Sequence, residues 1–145
     1  MRYMIMVKAT PASEAAKTPM EGIPPEEAEK LFAEMAAYHE ELAKAGALLD
    51  GAGLHPSAKG WRVQYSKGKQ KIVDGPFAEA KELIAGYTLI QVKSREEAME
   101  WARRFPSPFG SQDCEIEVRQ LFEQEDFEPG PTTDRFRELG MLDKK

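Results

Sequence analysis

Two imidazoles, His39 and His55, and one carboxylate set in a turn, Asp74 of Asp74-Gly75-Pro76-Phe77, are the side chains best suited to moving a proton near neutral pH. His39 follows Met35 by four residues and precedes Leu42 by three, so at about 100° per residue it falls inside an apolar helical stripe. There it is either a base facing a sheet or a hydrogen-bonded histidine at the edge of the core. His55 stands before Pro56 after an extended run, on a loop from which an exposed ring can reach a ligand. Asp74 has two readings: its carboxylate accepts the N–H groups of its own turn, or the rigid turn presents it to a pocket. The expected acid/base pairing is Asp74 with His39 or His55. Phe77, Glu79, Lys81 and Glu82 after the turn, and Arg119 beside Glu115 and Glu117, are the candidate ligand-binding residues, with solvated ion pairing as the alternative for the charged ones. Cys114 is a lone cysteine without a neighbouring base, and two histidines with one cysteine do not make a zinc cluster of the usual spacing. The sequence has no Gly-rich phosphate loop and no nucleophile elbow, so neither a metal nor a cofactor is expected.

The elements that must position these groups are read from hydrophobic period. Residues 2–8 are apolar on both alternating sets, as in a strand covered on two faces. Residues 9–25 hold four prolines with Gly22, Ser13 and Thr18, and read as a long mobile loop able to act as a lid. From Pro25 a helix carries Ala28, Leu31, Met35, Tyr38, Leu42 and Ala45 on one stripe and stops at Gly46. An extended run over 47–54 leads to a turn. Trp61, Val63 and Tyr65 then alternate with Arg62 and Gln64, the pattern of a strand with one buried face, and a Gly68 turn into 71–73 completes a hairpin. A strand over 84–92 precedes Ser94-Arg95-Glu96-Glu97, a capping box opening a second helix with Ala98, Trp101, Ala102 and Phe105 on one side. A last strand spans 114–122. The tail, 123–145, is acidic and punctuated, with a short helix over 134–142.

With the hairpin set aside, the order is βαββαβ, an α+β ferredoxin-like chain with an inserted β-hairpin. The expected division is one domain over 1–122 and a C-terminal appendage over 123–145. Helices on one side leave the other sheet face open, and Met4 and Met6 make it apolar, so a second copy is the simplest cover: a homodimer closing two sheets into a barrel. A net charge of -5 gives no basic footprint, and a basic sheet with exposed aromatics is not evident, so nucleic acid is not an expected partner. The apolar run over 3–7 is too short for a signal peptide or a membrane span. A cytoplasmic protein without membrane contact is therefore expected.

The run Asp74-Gly75-Pro76-Phe77-Ala78-Glu79-Ala80-Lys81-Glu82, followed by Gly86-Tyr87-Thr88-Leu89-Ile90, Ser94 through Ala102 and Glu117-Val118-Arg119, resembles the YCII-related family, in particular its DGPF-domain branch, over about residues 1–122. The resemblance implies a dimeric α+β barrel, within a class that includes small cofactor-free isomerases and monooxygenases. It also implies, for some members, a link to extracytoplasmic-function sigma factors. Shorter relatives carry a helix histidine and an aspartate proposed as a catalytic pair; the histidine position falls near Met35 here, one turn before His39. The expected function is a small-molecule-binding dimer with acid/base activity, and the alternative is a non-catalytic regulatory module.

Overall fold

In chain order the elements are β1 (Arg2–Lys8), α1 (Pro11–Ala15), α2 (Pro25–Lys44), β2 (Leu48–Gly53), β3 (Trp61–Ser66), β4 (Lys69–Asp74), β5 (Ile84–Gln91), α3 (Arg95–Arg104), β6 (Ile116–Gln120) and α4 (Pro131–Glu138). They are seen in a computed structural model that describes residues 1–142. Four strands form one antiparallel sheet in the order β2-β5-β1-β6, and β3 and β4 form a separate ribbon. The doubly apolar β1 takes an interior place in the sheet, between β5 and β6. Without α1, the ribbon and α4, the path is the ferredoxin-like βαββαβ.

Register decides what each face carries. Tyr3 lies opposite Ile90, Ile5 opposite both Thr88 and Val118, and these side chains point toward α2 and α3. There they meet Tyr38 and Leu42 of α2 and Ala98 and Trp101 of α3. Ile5, Leu42 and Ile90 are fully buried, each contributing about 1.5–3 kcal/mol of transfer free energy. The helix ends follow from local chemistry. Pro25 and two glutamates open α2, and Gly46 closes it at φ +72°, where its N–H reaches Ala43 O at 3.0 Å and that of Ala47 reaches Leu42 O at 2.9 Å. Ser94 caps α3 by accepting the Glu97 N–H at 3.1 Å, while the Glu97 carboxylate takes the N–H of Lys93, one residue before the cap.

Three expectations are corrected. Residues 9–25 are not a featureless loop: Thr10 and Ser13 cap each other's backbone around α1, with Pro11 in its first turn. The alternation in β3 does not mark a buried face, because the ribbon does not pack on the core and every residue of β3 is exposed. A basic two-stranded sheet with exposed aromatics is therefore present after all. The last strand is shorter than expected, 116–120, and beyond it the chain closes on β1 through the Leu121 N–H, which reaches Arg2 O at 2.9 Å.

That closure involves a buried cation. Arg2 donates from Nε to Glu123 Oε1 at 3.1 Å, and from Nη2 to the carbonyls of Phe122, Met141 and Leu142 at 3.2, 2.9 and 2.7 Å. The tail thus packs against the start of β1; residues 143–145 lie outside the described residues.

Candidate functional site

Where β2 ends and β5 begins, the segment 11–23 roofs a cavity of about 310 Å³. Met20, Ile23, Leu54, Ile84 and Phe109 give it apolar walls. Ser13, Glu14, Lys17, Thr18, Glu21, His55 and Gln112 add polar residues to the same walls, a mixture of apolar contact and polar anchors that suits a small organic molecule.

The roof is tied down through Glu14. Its carboxylate accepts the Ser57 N–H at 2.9 Å and the Ser57 hydroxyl, and Ser57 Oγ accepts the Phe77 N–H at 3.0 Å. One short chain of hydrogen bonds therefore joins α1, the 3₁₀ turn Ser57–Lys59 and the Asp74-Gly75-Pro76-Phe77 turn. Gly75 is required by proximity: its N–H reaches Gly60 O at 3.0 Å, and a Cβ there would stand 1.8 Å from Ser57 O. The Arg62 guanidinium lies 3.8 Å from the centre of the Phe77 ring. The turn thus has a positional reason for its glycine and its phenylalanine.

A second polar site lies between α2 and the sheet. His39 Nδ1 is 2.8 Å from Met35 O and Nε2 is 2.8 Å from Thr88 Oγ1. A carbonyl can only accept, so Nδ1 carries the proton, and in the neutral ring Nε2 accepts from the Thr88 hydroxyl. Gly51, paired with Thr88 across the strands, lies close to Nε2: a Cβ there would sit 3.7 Å from it, in ordinary contact. Tyr38, the preceding residue, donates to Trp101 O at 2.8 Å, and burial pushes its pKa up to about 12 while Arg104 pulls the other way. On the opposite sheet face the Tyr87 hydroxyl donates to Asp50 at 3.1 Å; that bond and the carboxylate's charge raise the Tyr87 pKa.

The expected site residues separate on this frame. His55 lines the cavity. His39 is half-buried against Thr88 and is not among the lining residues. Asp74 is exposed at the end of β4; among the described residues its carboxylate bonds to neither imidazole nor to the N–H groups of its turn, so the expected pairing with His39 or His55 is not made. Phe77, Glu79 and Lys81 share a shallow depression with Glu14 and Pro11 on the outer side of α1. Glu82 is exposed on the following 3₁₀ turn and is outside that depression. Arg119 is exposed on β6 with Nη1 3.4 Å from Glu117 Oε2, the internal pairing that was its alternative. Glu14, Ser57 and Thr88 were not singled out by sequence. A cap-proline-acid pattern at Thr10-Pro11-Ala12-Ser13-Glu14 does announce a helix start; nothing local to Ser57 or Thr88 announces their partners.

Fold and cavity together define a ferredoxin-like α+β chain with a roofed pocket at one end of its sheet. The model of the YCII-related domain matches residues 1–123, and the chain belongs to that family. A relative from Rhizobium meliloti (strain 1021), an uncharacterised protein, is 36% identical over 78 residues, covering 54% of this chain and 63% of the relative, so the match spans less than two thirds of that relative's length. Among solved structures, 5-chloro-2-hydroxyhydroquinone dehydrochlorinase from Burkholderia phenoliruptrix AC1100, in complex with 2,5-dihydroxybenzoquinone, aligns with a TM-score of 0.46 at 13% identity, over 88% of this chain and 100% of that one. Among the described residues no helix is long and apolar enough to cross a membrane.

Proposed function

We propose that this YCII-related chain, of the DGPF branch by its Asp74-to-Glu82 run, is a homodimer that binds a small, mostly apolar organic molecule in the cavity beneath the 11–23 segment and does acid/base chemistry on it. The observation that carries the reading is that His55 and Glu14 both line one cavity of about 310 Å³ whose walls are largely apolar. A neutral imidazole can take a proton from the ligand, and a carboxylate fixed by two donors from Ser57 can hold a hydroxyl or orient a water against it. Dimerisation is supported by the sheet face away from the helices, where Met4, Met6, Tyr87 and Leu89 are only half-buried.

Gly53 offers the test. It lines the cavity, and a Cβ added there meets nothing within 4 Å, so Gly53→Phe should fill the pocket without disturbing the backbone. A thermal-shift screen over small phenols, enolisable ketones and hydroxy acids should give stabilising ligands for the wild type, by a few degrees at concentrations well above Kd. Gly53→Phe should abolish those shifts. His55→Gln should keep the shifts and lower any turnover by on the order of a hundredfold. Ligands that stabilise the wild type and Gly53→Phe equally would place binding elsewhere.

A further inference from the structure

The β3–β4 ribbon carries a surface that the cavity leaves unexplained. Trp61, Val63 and Tyr65 stand on one side of it with Ile72, which pairs with Val63. Trp61, Tyr65 and Ile72 are 65, 74 and 67% exposed. The other side is turned toward the body at its base, since Arg62 stacks on Phe77 and Val73 is half-buried. The apolar side therefore faces away from its own protomer. A two-stranded ribbon with nothing packed on its apolar side is of marginal stability, and the two aromatics alone leave on the order of 300 Å² of side chain in water.

Charge narrows the choice of cover. The stretch from Lys59 to Asp74 holds five cations and one carboxylate, a local charge of +4, while the rest of the chain holds 15 Lys and Arg against 24 Asp and Glu. By register Arg62, Lys69 and Lys71 stand on the side opposite the aromatics, so the arm is apolar on one side and basic on the other, and a strongly acidic body that wraps around its tip is a complement that two copies can supply reciprocally in a two-fold dimer. Two arms, counted with the surfaces they cover, bury on the order of 1,000 Å², which reaches the range of a specific interface. Val63 and Ile72, aliphatic side chains set between the aromatics, suit burial against protein, and the molecule's net charge of -5 opposes a polyanion.

We infer that the β3–β4 ribbon is a dimerisation arm, whose Trp61-Val63-Tyr65-Ile72 side is covered by the acidic body of a second copy of this chain. The inference rests on the proposed homodimer and adds the element that holds it. Sedimentation velocity of the full chain across the micromolar range should show a dimer. The double variant Tyr65→Asp/Ile72→Asp should weaken it about 100-fold with unchanged helical circular dichroism. Lys69→Glu/Lys71→Glu, on the opposite side of the ribbon, should weaken it about tenfold and more at low salt than at high, and it decides the matter if the aspartate variant loses its fold. A wild-type dimer that both variants leave intact overturns the arm while the dimer reading stands. A wild-type monomer overturns both. A wild-type monomer whose tryptophan emission is quenched by a single-stranded oligonucleotide overturns them in favour of a nucleic-acid surface.

Discussion

Tyr38 stands on the buried stripe of α2 with rings of Trp101 and Phe105 edge-on at 5.9 and 5.1 Å, and its hydroxyl has found the Trp101 carbonyl in that apolar surround. Because burial raises its folded pKa from 10 to about 12, the neutral phenol stabilises the fold fully below pH 10, and that contribution is lost as the pH rises toward 12. Tyr38→Phe should cost about 1 kcal/mol in urea melts near neutral pH, through the missing hydrogen bond. The wild-type advantage should shrink to nothing or reverse between pH 10 and 12, because phenylalanine has no proton to lose. At this scale the sequence carries a residue's face but not its partner. His39 is legible on the apolar stripe from its spacing to Met35 and Leu42, whereas Thr88, 49 residues away, becomes its partner only through the β5 register against α2. Asp74 shows the converse: its turn is legible, yet the carboxylate ends in solvent because Gly75 and Phe77 supply the contacts that hold the turn.

Among elements, α1 and the turn at Gly75 depend on each other through Ser57. The serine holds Glu14 with its N–H and hydroxyl and takes the Phe77 N–H on its oxygen, while its carbonyl sits where a Cβ of residue 75 would be. Gly75→Ala must push the Ser57–Lys59 turn aside, at a cost of about 1–3 kcal/mol for overpacking. The displacement should reach the cavity roof through Glu14. Amide exchange in 11–16 should accelerate at least tenfold in Gly75→Ala, with the β1 and β5 amides slowed or quickened only in line with global stability. Exchange in 11–16 that follows the global value in both proteins would show that the roof does not depend on this turn. The βαββαβ order was readable because each core element repeats its period over many residues; the α1 roof was not, because five residues among prolines are too few to show a period against their breakers. The ribbon misled for a different reason: alternation reports a two-sided strand, and the side chains that one protomer leaves in water have the same spacing as those it buries.

Taken whole, the molecule is joined end to end by the Arg2 guanidinium, which is nearly inaccessible at the first residue of β1 yet bonds to Glu123 and to carbonyls as far along the chain as Leu142. A buried charge is tolerable only with its counter-charge and enough acceptors, and here one carboxylate and three carbonyls supply them. Removing the counter-charge alone leaves the cation where water reaches it poorly. Glu123→Gln keeps an oxygen for the Arg2 backbone and side-chain N–H groups, so it should cost about 2–3 kcal/mol, below the ~3–5 kcal/mol of a pair broken outright. Glu123→Ala, which removes the acceptor as well, should reach that upper range. The double variant Arg2→Met/Glu123→Leu removes both charges and keeps apolar volume, so it should recover most of the loss of Glu123→Ala, leaving the three carbonyls as its residual cost. Urea denaturation of the wild type, Arg2→Met, Glu123→Leu and the double variant closes a double-mutant cycle. A coupling energy near zero, with Glu123→Ala no worse than a surface substitution, would mean that the tail lies on β1 without being held there and that 123–145 can leave the domain at little cost.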